Sequence, residues 1–222
     1  MSDFDNYKAE LEERREVLLE AMLDDVPFDG WRETALERGG ARLGLDRGDV
    51  KLVFPGGLSE VAAFWSRRSD ARMLERLAGL NLQEMRIRDR VATAVRTRIE
   101  VNASRREALR RLMGWLALPM NVPVAVKNMS CTVNEMWYAA GDTSADWNYY
   151  SKRGLLMPVY STTVLYWLAD EPDEEGDYPA TWAYLDRRID DVLKTFGAPR
   201  KIKSRLEEVF AGFGLGGDRH RA

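Results

Sequence analysis

Residues 145–169 read ADWNYYSKRGLLMPVYSTTVLYWLA. At helical spacing, Trp147, Tyr150, Leu155, Leu156, Val159, Tyr160, Val164 and Trp167 leave almost no polar face. A helix that is apolar around most of its circumference is stable in water only when other helices surround it. The rest of the chain supplies them. Apolar residues recur at i, i+3, i+4 and i+7 from Leu11 onward, and no stretch alternates with the period of a strand. The spacing predicts helices over about 6–24, after Asp29 as N-cap, near 47–53, from Ser59 through MLERLAG, and over 84–101, 104–117, 122–140, 145–169 and 179–196. VPFDG is expected to break the first helix, Gly141 to end the seventh as its C′ residue, and Pro158 to kink the eighth. The fold class is all-α, with expected units at 1–56, 57–197 and 198–222.

A chain of 222 residues can bury a substantial core. Its net charge of −3 is unevenly distributed. Residues 1–60 carry 15 acids and 8 bases; residues 67–111 carry 13 arginines, no lysine and 6 acids. An acidic end followed by an arginine belt suggests a polar scaffold with a docking face. The single cysteine, Cys131, permits no intrachain disulfide, fits a reducing compartment, and reads as a small core residue among apolar neighbours. The single histidine, His220, lies in the tail GGDRHRA, so the body lacks Ser-His, Cys-His, HExxH and Glu-x-x-His arrangements. Glu135, Asp142, Asp146 and Asp170 read as caps and surface acids, with no metal site and no cofactor motif. No catalytic residue is assigned, and the chain is not expected to be an enzyme. The acidic start MSDFDNYKAELEERRE has no apolar core, so neither a signal nor a transit peptide is expected. No uncharged apolar run is long enough to span a bilayer.

Large aromatics crowd the segment MWYAAGDTSADWNYYSKRG, 136–154. They are either bundle core or an exposed patch. Adjacent helix residues lie about 100° apart, so both members of Trp137–Tyr138 and of Tyr149–Tyr150 rarely face one interior. Near the other end, Ile202, Leu206, Val209, Phe210 and Phe213 form a stripe flanked by Lys201, Lys203 and Arg205. Such a helix either lies on a membrane surface or docks on protein.

Two resemblances give these features a context. RREVLLEAMLDDVPFDGWRETALERGGARLGLD, followed by VKLVFPGGLSEVAAFW, is similar to the N-terminal three helices of TetR-type regulators. That family implies a helix-turn-helix-like unit followed by a helical ligand-binding bundle that often forms a homodimer. The segment that would enter DNA, LGLDRGDVKLVF, sets Asp46 and Asp49 against Arg47 and Lys51 in an acidic region. Because phosphate neutralisation supplies most non-specific affinity, no nucleic-acid partner is expected. VFPGG, LPMNVP, the 137–153 block and TWAYLDRRIDDV together resemble the lipid-binding accessory family of ubiquinone biosynthesis (Coq-nine), which has a TetR-like fold. That resemblance implies an isoprenoid or quinone lipid in the bundle, presented at a membrane surface to a di-iron demethoxyubiquinone hydroxylase that performs the chemistry. The alternative is a ligand-responsive regulator. Candidate lipid-binding residues are Leu116, Leu118, Met120, Val133, Met136, Leu156, Val159, Tyr160, Thr163 and Tyr166. By resemblance, Met136, Trp137, Asp146, Tyr149 and Tyr150 face the hydroxylase, with Arg153 either in that patch or a salt-bridge donor. Tyr149 stands where the family usually has tryptophan. Ile202, Leu206, Val209, Phe210 and Phe213 are the membrane-binding candidates. The expected setting is the bacterial cytoplasm, peripheral on the inner membrane.

Overall fold

The structure, a computed structural model, describes residues 3–142 and 147–196, with side chains over 5–142 and 150–194. All helical segments of four residues or more among them are α-helices: α1 (Asp3–Asp29), α2 (Glu33–Arg42), α3 (Arg47–Val53), α4 (Gly57–Ala78), α5 (Ile87–Glu100), α6 (Arg106–Leu116), α7 (Val122–Ala139), α8 (Trp147–Ala169) and α9 (Pro179–Phe196). Among the described residues there is no strand.

Two cores share α4. The first lies under α1–α3. Leu18, Met22 and Val26 of α1 meet Ala35 and Leu36 of α2, Val50 and Val53 of α3, and Val61, Ala62, Phe64 and Trp65 of α4. Trp31 stacks on Trp65 with ring centroids 5.7 Å apart, and Phe54 meets Phe64 edge-on at 5.6 Å. Gly39 allows α2 to lie directly on α1, because a Cβ there would come within 2.8 Å of the Met22 backbone nitrogen. Asp46 and Asp49 form a reciprocal capping box at the start of α3, with bonds of 2.9 and 3.1 Å. The second core joins Met73 and Leu77 of α4 to α5, α7, α8 and α9 through Val95, Ile99, Val133, Met136, Leu156 and Trp167.

The arginine belt is largely spent inside the molecule. Arg68 and Arg72 of α4 reach Glu16 of α1 at 2.6 and 3.2 Å, and Arg105 reaches Glu20 and Asp24 at 2.9 and 2.6 Å. Burial by itself would raise the Glu16 pKa, but hydrogen bonds and charge from Arg68 and Arg72 outweigh it and hold the carboxyl below its ordinary value. Arg106 donates to the Trp167 carbonyl at 2.8 Å and also to that of Asp170, while Arg110 donates to that of Leu168. These bonds satisfy the orphan carbonyls at the end of α8. The expected docking face is therefore in large part a set of internal clamps.

Three local expectations are corrected. The first helix continues through Pro27 to Asp29, because Val26 is buried in the core and keeps that turn in register. Asp29 does not cap α2. It ends α1 and pairs with Arg38 at 2.7 Å, while Arg32 occupies the N-cap position without a side-chain bond. Cys131 is exposed rather than in the core, since Thr132 and Val133 are the residues of that turn that face inward. α8 is one helix through Pro158, whose ring is exposed.

Candidate functional site

A cavity of about 300 Å³ opens between α4, α6, α7 and α8. Leu109, Leu112, Met113 and Leu116 of α6, Ala125 and Met129 of α7, and Val164 and Leu165 of α8 form its apolar walls. α4 adds Ala62 and Trp65, and Asn128 and Ser161 lie elsewhere on the lining. The polar groups Ser66, Ser69, Arg98 and Asn102 gather on the side of α4 and the end of α5, with Thr132 from α7 and Tyr160 from α8.

Those polar groups form one network. Arg98 Nε donates to Asp70 at 2.6 Å, and both side chains are buried. Thr132 Oγ1 donates to the same carboxylate at 2.8 Å. Arg98 also reaches the Ser66 carbonyl at 3.3 Å, Ser69 donates to Asn102 at 2.9 Å, and Asn102 donates back to the Arg98 carbonyl at 3.2 Å. A buried charge without partners would be costly; here the pair and its neighbours fix the guanidinium beside the cavity. Burial pushes the Asp70 carboxyl up, against the opposing pull of Arg98 and Thr132. For Arg98, burial works against the charge, but the charge of Asp70 and the hydrogen bond to it pull the other way, and its pKa stays raised. Burial also raises the Tyr160 phenol, with the Arg98 charge opposing it. The result is an apolar chamber with hydrogen-bond donors at one wall, the arrangement common to small-ligand sites.

The predicted lipid-binding residues divide. Leu116 and Tyr160 line this cavity. Leu156 and Val159 line a smaller apolar cavity of about 60 Å³ with Trp137, Val91 and Ile189. Val133 and Met136 are packed inside the second core, and Thr163 is fully buried, its hydroxyl donating to the Val159 carbonyl at 2.6 Å. Leu118 and Met120 are exposed beside the cavity, and Tyr166 is partly exposed and stacks on Tyr184 at 4.6 Å. Helical spacing marked what is apolar. It could not say which apolar side chains end at a void and which at another side chain. Arg98 falls by its spacing on the inward stripe of the fifth helix with Val91, Ala94, Val95 and Ile99, but spacing alone does not show that a cavity lies beside it; Asn102 and Ser69 carried no signal that set them apart.

At the other end of α7, the break after Ala139 is built as expected. Gly141 has φ +88°, its N–H donates to the Tyr138 carbonyl at 2.9 Å, and that of Asp142 donates to the Trp137 carbonyl at 2.9 Å. This is a Schellman closure, in which glycine avoids the Cβ penalty of a left-handed residue. Asp142 then binds Lys152 at 2.7 Å and Arg153 at 3.2 Å, joining the ends of α7 and α8. Among the aromatics, Tyr138 and Tyr150 face solvent. Trp137 is half-buried with the Lys152 ammonium 5.6 Å from its ring, and Arg153 lies 5.4 Å from the Tyr138 ring. Met136 is fully buried, so it is not a surface contact: it lies on the face of α7 that packs into the second core. Arg153 is buried too, bonding Asn134 at 2.8 Å as well as Asp142. Asp146, the Tyr149 side chain and the stripe of Ile202, Leu206, Val209, Phe210 and Phe213 lie outside the described residues.

The family model COQ9 matches residues 122–195, which include the part of the cavity lining supplied by α7 and α8 and the aromatic segment between them. Over 215 residues the chain is 30% identical to "Ubiquinone biosynthesis protein COQ9, mitochondrial" of Rattus norvegicus, covering 94% of this chain and 67% of that protein. The chain belongs to the COQ9 family. The Homo sapiens protein of the same name is 29% identical over 214 residues, covering 94% of this chain and 66% of that protein. The chain thus spans about two thirds of the length of these COQ9 relatives. A relative from Dictyostelium discoideum, "Probable ubiquinone biosynthesis protein coq9, mitochondrial", is 26% identical over 198 residues. Among solved structures, a TetR transcriptional regulator from Nitrosomonas europaea superimposes with a TM-score of 0.65 at 20% identity, covering 82% of this chain and 98% of that one. This likeness bears on fold, which is TetR-like. The expected bacterial setting is overturned: these COQ9 relatives are all named as mitochondrial proteins, and none of them is bacterial.

Proposed function

We propose that this COQ9-family chain is an accessory protein that holds an isoprenoid quinone precursor in the cavity between α4, α6, α7 and α8 and presents it to a di-iron demethoxyubiquinone hydroxylase. The observation that carries this reading is the cavity itself. Its lining is mainly hydrocarbon, and one polar region offers a buried, protonated Arg98 beside the Tyr160 phenol. A prenyl tail suits the first, and the carbonyl or phenol oxygens of a benzoquinone ring suit the second. The COQ9 relatives are named for ubiquinone biosynthesis, which supports this class of cargo. The reaction would belong to the hydroxylase, which would dock at the turn between α7 and α8. Exposed Tyr138 and Tyr150 are of the kind that anchors protein interfaces.

Native mass spectrometry of the purified protein, followed by lipid extraction, tests the cargo. A co-purifying quinone or polyprenyl species that disappears in Met129→Trp supports the reading. An empty cavity that takes up no short-chain quinone overturns it. For docking, Tyr150→Lys should abolish the hydroxylase complex while melting and bound lipid persist, because an apolar contact cannot pair the new charge. Normal complex formation by a folded Tyr150→Lys protein would remove this surface from consideration.

A further inference from the structure

The corner that joins α6 to α7 bears a surface that the cavity and the aromatic turn leave unused. From Leu112 to Val126 the sequence LMGWLALPMNVPVAV contains no charged residue. In the structure Leu112, Trp115, Leu116 and Val124 of this run pack on the first core, while much of the rest of it faces outward. Met120 is 74% exposed, and Leu118, Val122 and Val126 are each about half exposed. Its one side chain able to hydrogen-bond strongly, other than the Trp115 indole, turns inward: Asn121 is buried and donates to the Trp115 carbonyl at 2.8 Å.

The backbone is prepared for a dry environment as well. The N–H groups of Ala117, Leu118 and Asn121 donate to the carbonyls of Met113, Trp115 and Leu118 at 2.9–3.2 Å, and that of Val122 donates to Pro119. Pro119 and Pro123 have no N–H to satisfy. Insertion of this corner into an apolar medium therefore strands few donors, which is the main obstacle to placing a turn among lipid chains.

Position supplies the third observation. Leu116, Ala117 and Ala125 line the cavity, and the exposed residues Leu118, Met120 and Val122 lie between Ala117 and Ala125 in sequence, with Val126 next. The uncharged lip thus adjoins the part of the cavity wall formed by Leu116, Ala117 and Ala125. Exposed Lys127 follows it directly, and exposed Arg110 and Arg111 precede it, both paired with Glu107.

We infer that this corner is a membrane-contacting lip: it dips into the outer part of an anionic bilayer leaflet and lets a lipid pass from the leaflet into the cavity without crossing water. A bilayer fits better than a protein partner. Protein interfaces carry a polar rim and about one hydrogen bond per 100–200 Å², and this lip offers almost no outward side-chain donor or acceptor. A bilayer asks for an apolar wedge with basic residues at its edge. The passage of cargo rests on the lipid-binding reading above; the contact of the lip with the leaflet does not.

The test uses the full chain with Cys131→Ser and Met120→Cys, labelled at the new thiol with an environment-sensitive dye. Vesicles of phosphatidylcholine with about one quarter phosphatidylglycerol should shift the dye to the blue and shield it from an aqueous quencher. The same dye at Leu52→Cys, exposed on α3, should not respond. Combined Leu118→Glu, Met120→Glu and Val122→Glu should weaken vesicle partitioning about tenfold with unchanged melting, because all three side chains are exposed. That triple variant should load a short-chain quinone slowly from vesicles yet at the normal rate from cyclodextrin. If vesicles bind the protein while the Met120 position stays wet, the lip is not the contact and the inference falls. It falls equally if the dye is shielded by rising protein concentration without lipid, since a second copy then covers the corner. A lip that inserts on a protein that loads quinone by neither route supports the inference and removes the lipid-binding reading instead.

Discussion

The core under α1–α3 and the core of the bundle use similar side chains to opposite ends. In the first, Trp31 lies flat on Trp65 and Phe54 meets Phe64 edge-on, and Leu18, Met22 and Leu36 fill what remains. Where it meets the second, Leu112 of the first core and Met113, Met129 and Val164 of the bundle stop short of one another and leave a chamber lined on one side by Arg98 of a buried ion pair. Filling the available volume maximises dispersion contacts. Leaving a void gives some of that up, and an ionic wall gives up more. The contrast separates packing built for rigidity from a boundary between the cores that is left open to receive something, and α4 runs along both.

That comparison can be broken at its strongest point first. Phe64→Ala should cost about 3–5 kcal/mol in denaturant unfolding, because the packed core cannot collapse around the loss. A cost below about 1 kcal/mol would mean that the first core is not tighter than the second. Next, Arg98→Met leaves Asp70 buried without its cation and should cost about 3–5 kcal/mol. Adding Asp70→Leu should recover most of that stability without recovering quinone affinity, which separates the wall's structural part from its binding part.

Acid should act on the clamps rather than on the chamber. Hydrogen bonds from the Trp182 indole and the Tyr178 backbone, then Arg96, hold Asp177 below its ordinary value, and Arg88 does the same for Asp190. With Glu16 these groups have folded pKa values below their unfolded ones. Their contribution is present above about pH 4 and is lost as pH falls through the lowered values. Asp70 has the opposite sign, because its folded value is raised. A melting curve recorded against pH should therefore fall on the acid side, and more steeply in Asp70→Asn. At neutral pH, Arg72→Ala should cost less than about 1 kcal/mol, since its pairs with Glu16 and Glu20 are partly solvated. The smallest stability change belongs to Met129→Trp. It should alter unfolding by no more than about 0.5 kcal/mol, because the added ring enters empty space, while eliminating quinone uptake. The same enlargement at Leu36, which is fully buried, should destabilise by about 1–3 kcal/mol.

Much of the fold was legible without coordinates. The period of apolar residues located the described α-helices, with the end of α1 the largest miss because VPFDG does not break it, and Gly141 announced the end of α7 because few other residues tolerate a left-handed closure. The family resemblance was legible in VFPGG and in the aromatic turn. Adjacency on a helix also favoured one of Trp137 and Tyr138 turning outward. Tertiary structure decided which: the Trp137 face of α7 lies against Leu156 and Val159, so the tyrosine is outside. It also decided that Met136 packs inward, that the arginines bind α1 and the end of α8, and that Arg98 faces a chamber. Periodicity reports the direction of a side chain relative to its own helix. What that side chain meets, whether acid, ring, empty space or bilayer, depends on how the other helices cross, and local sequence carries no record of those angles.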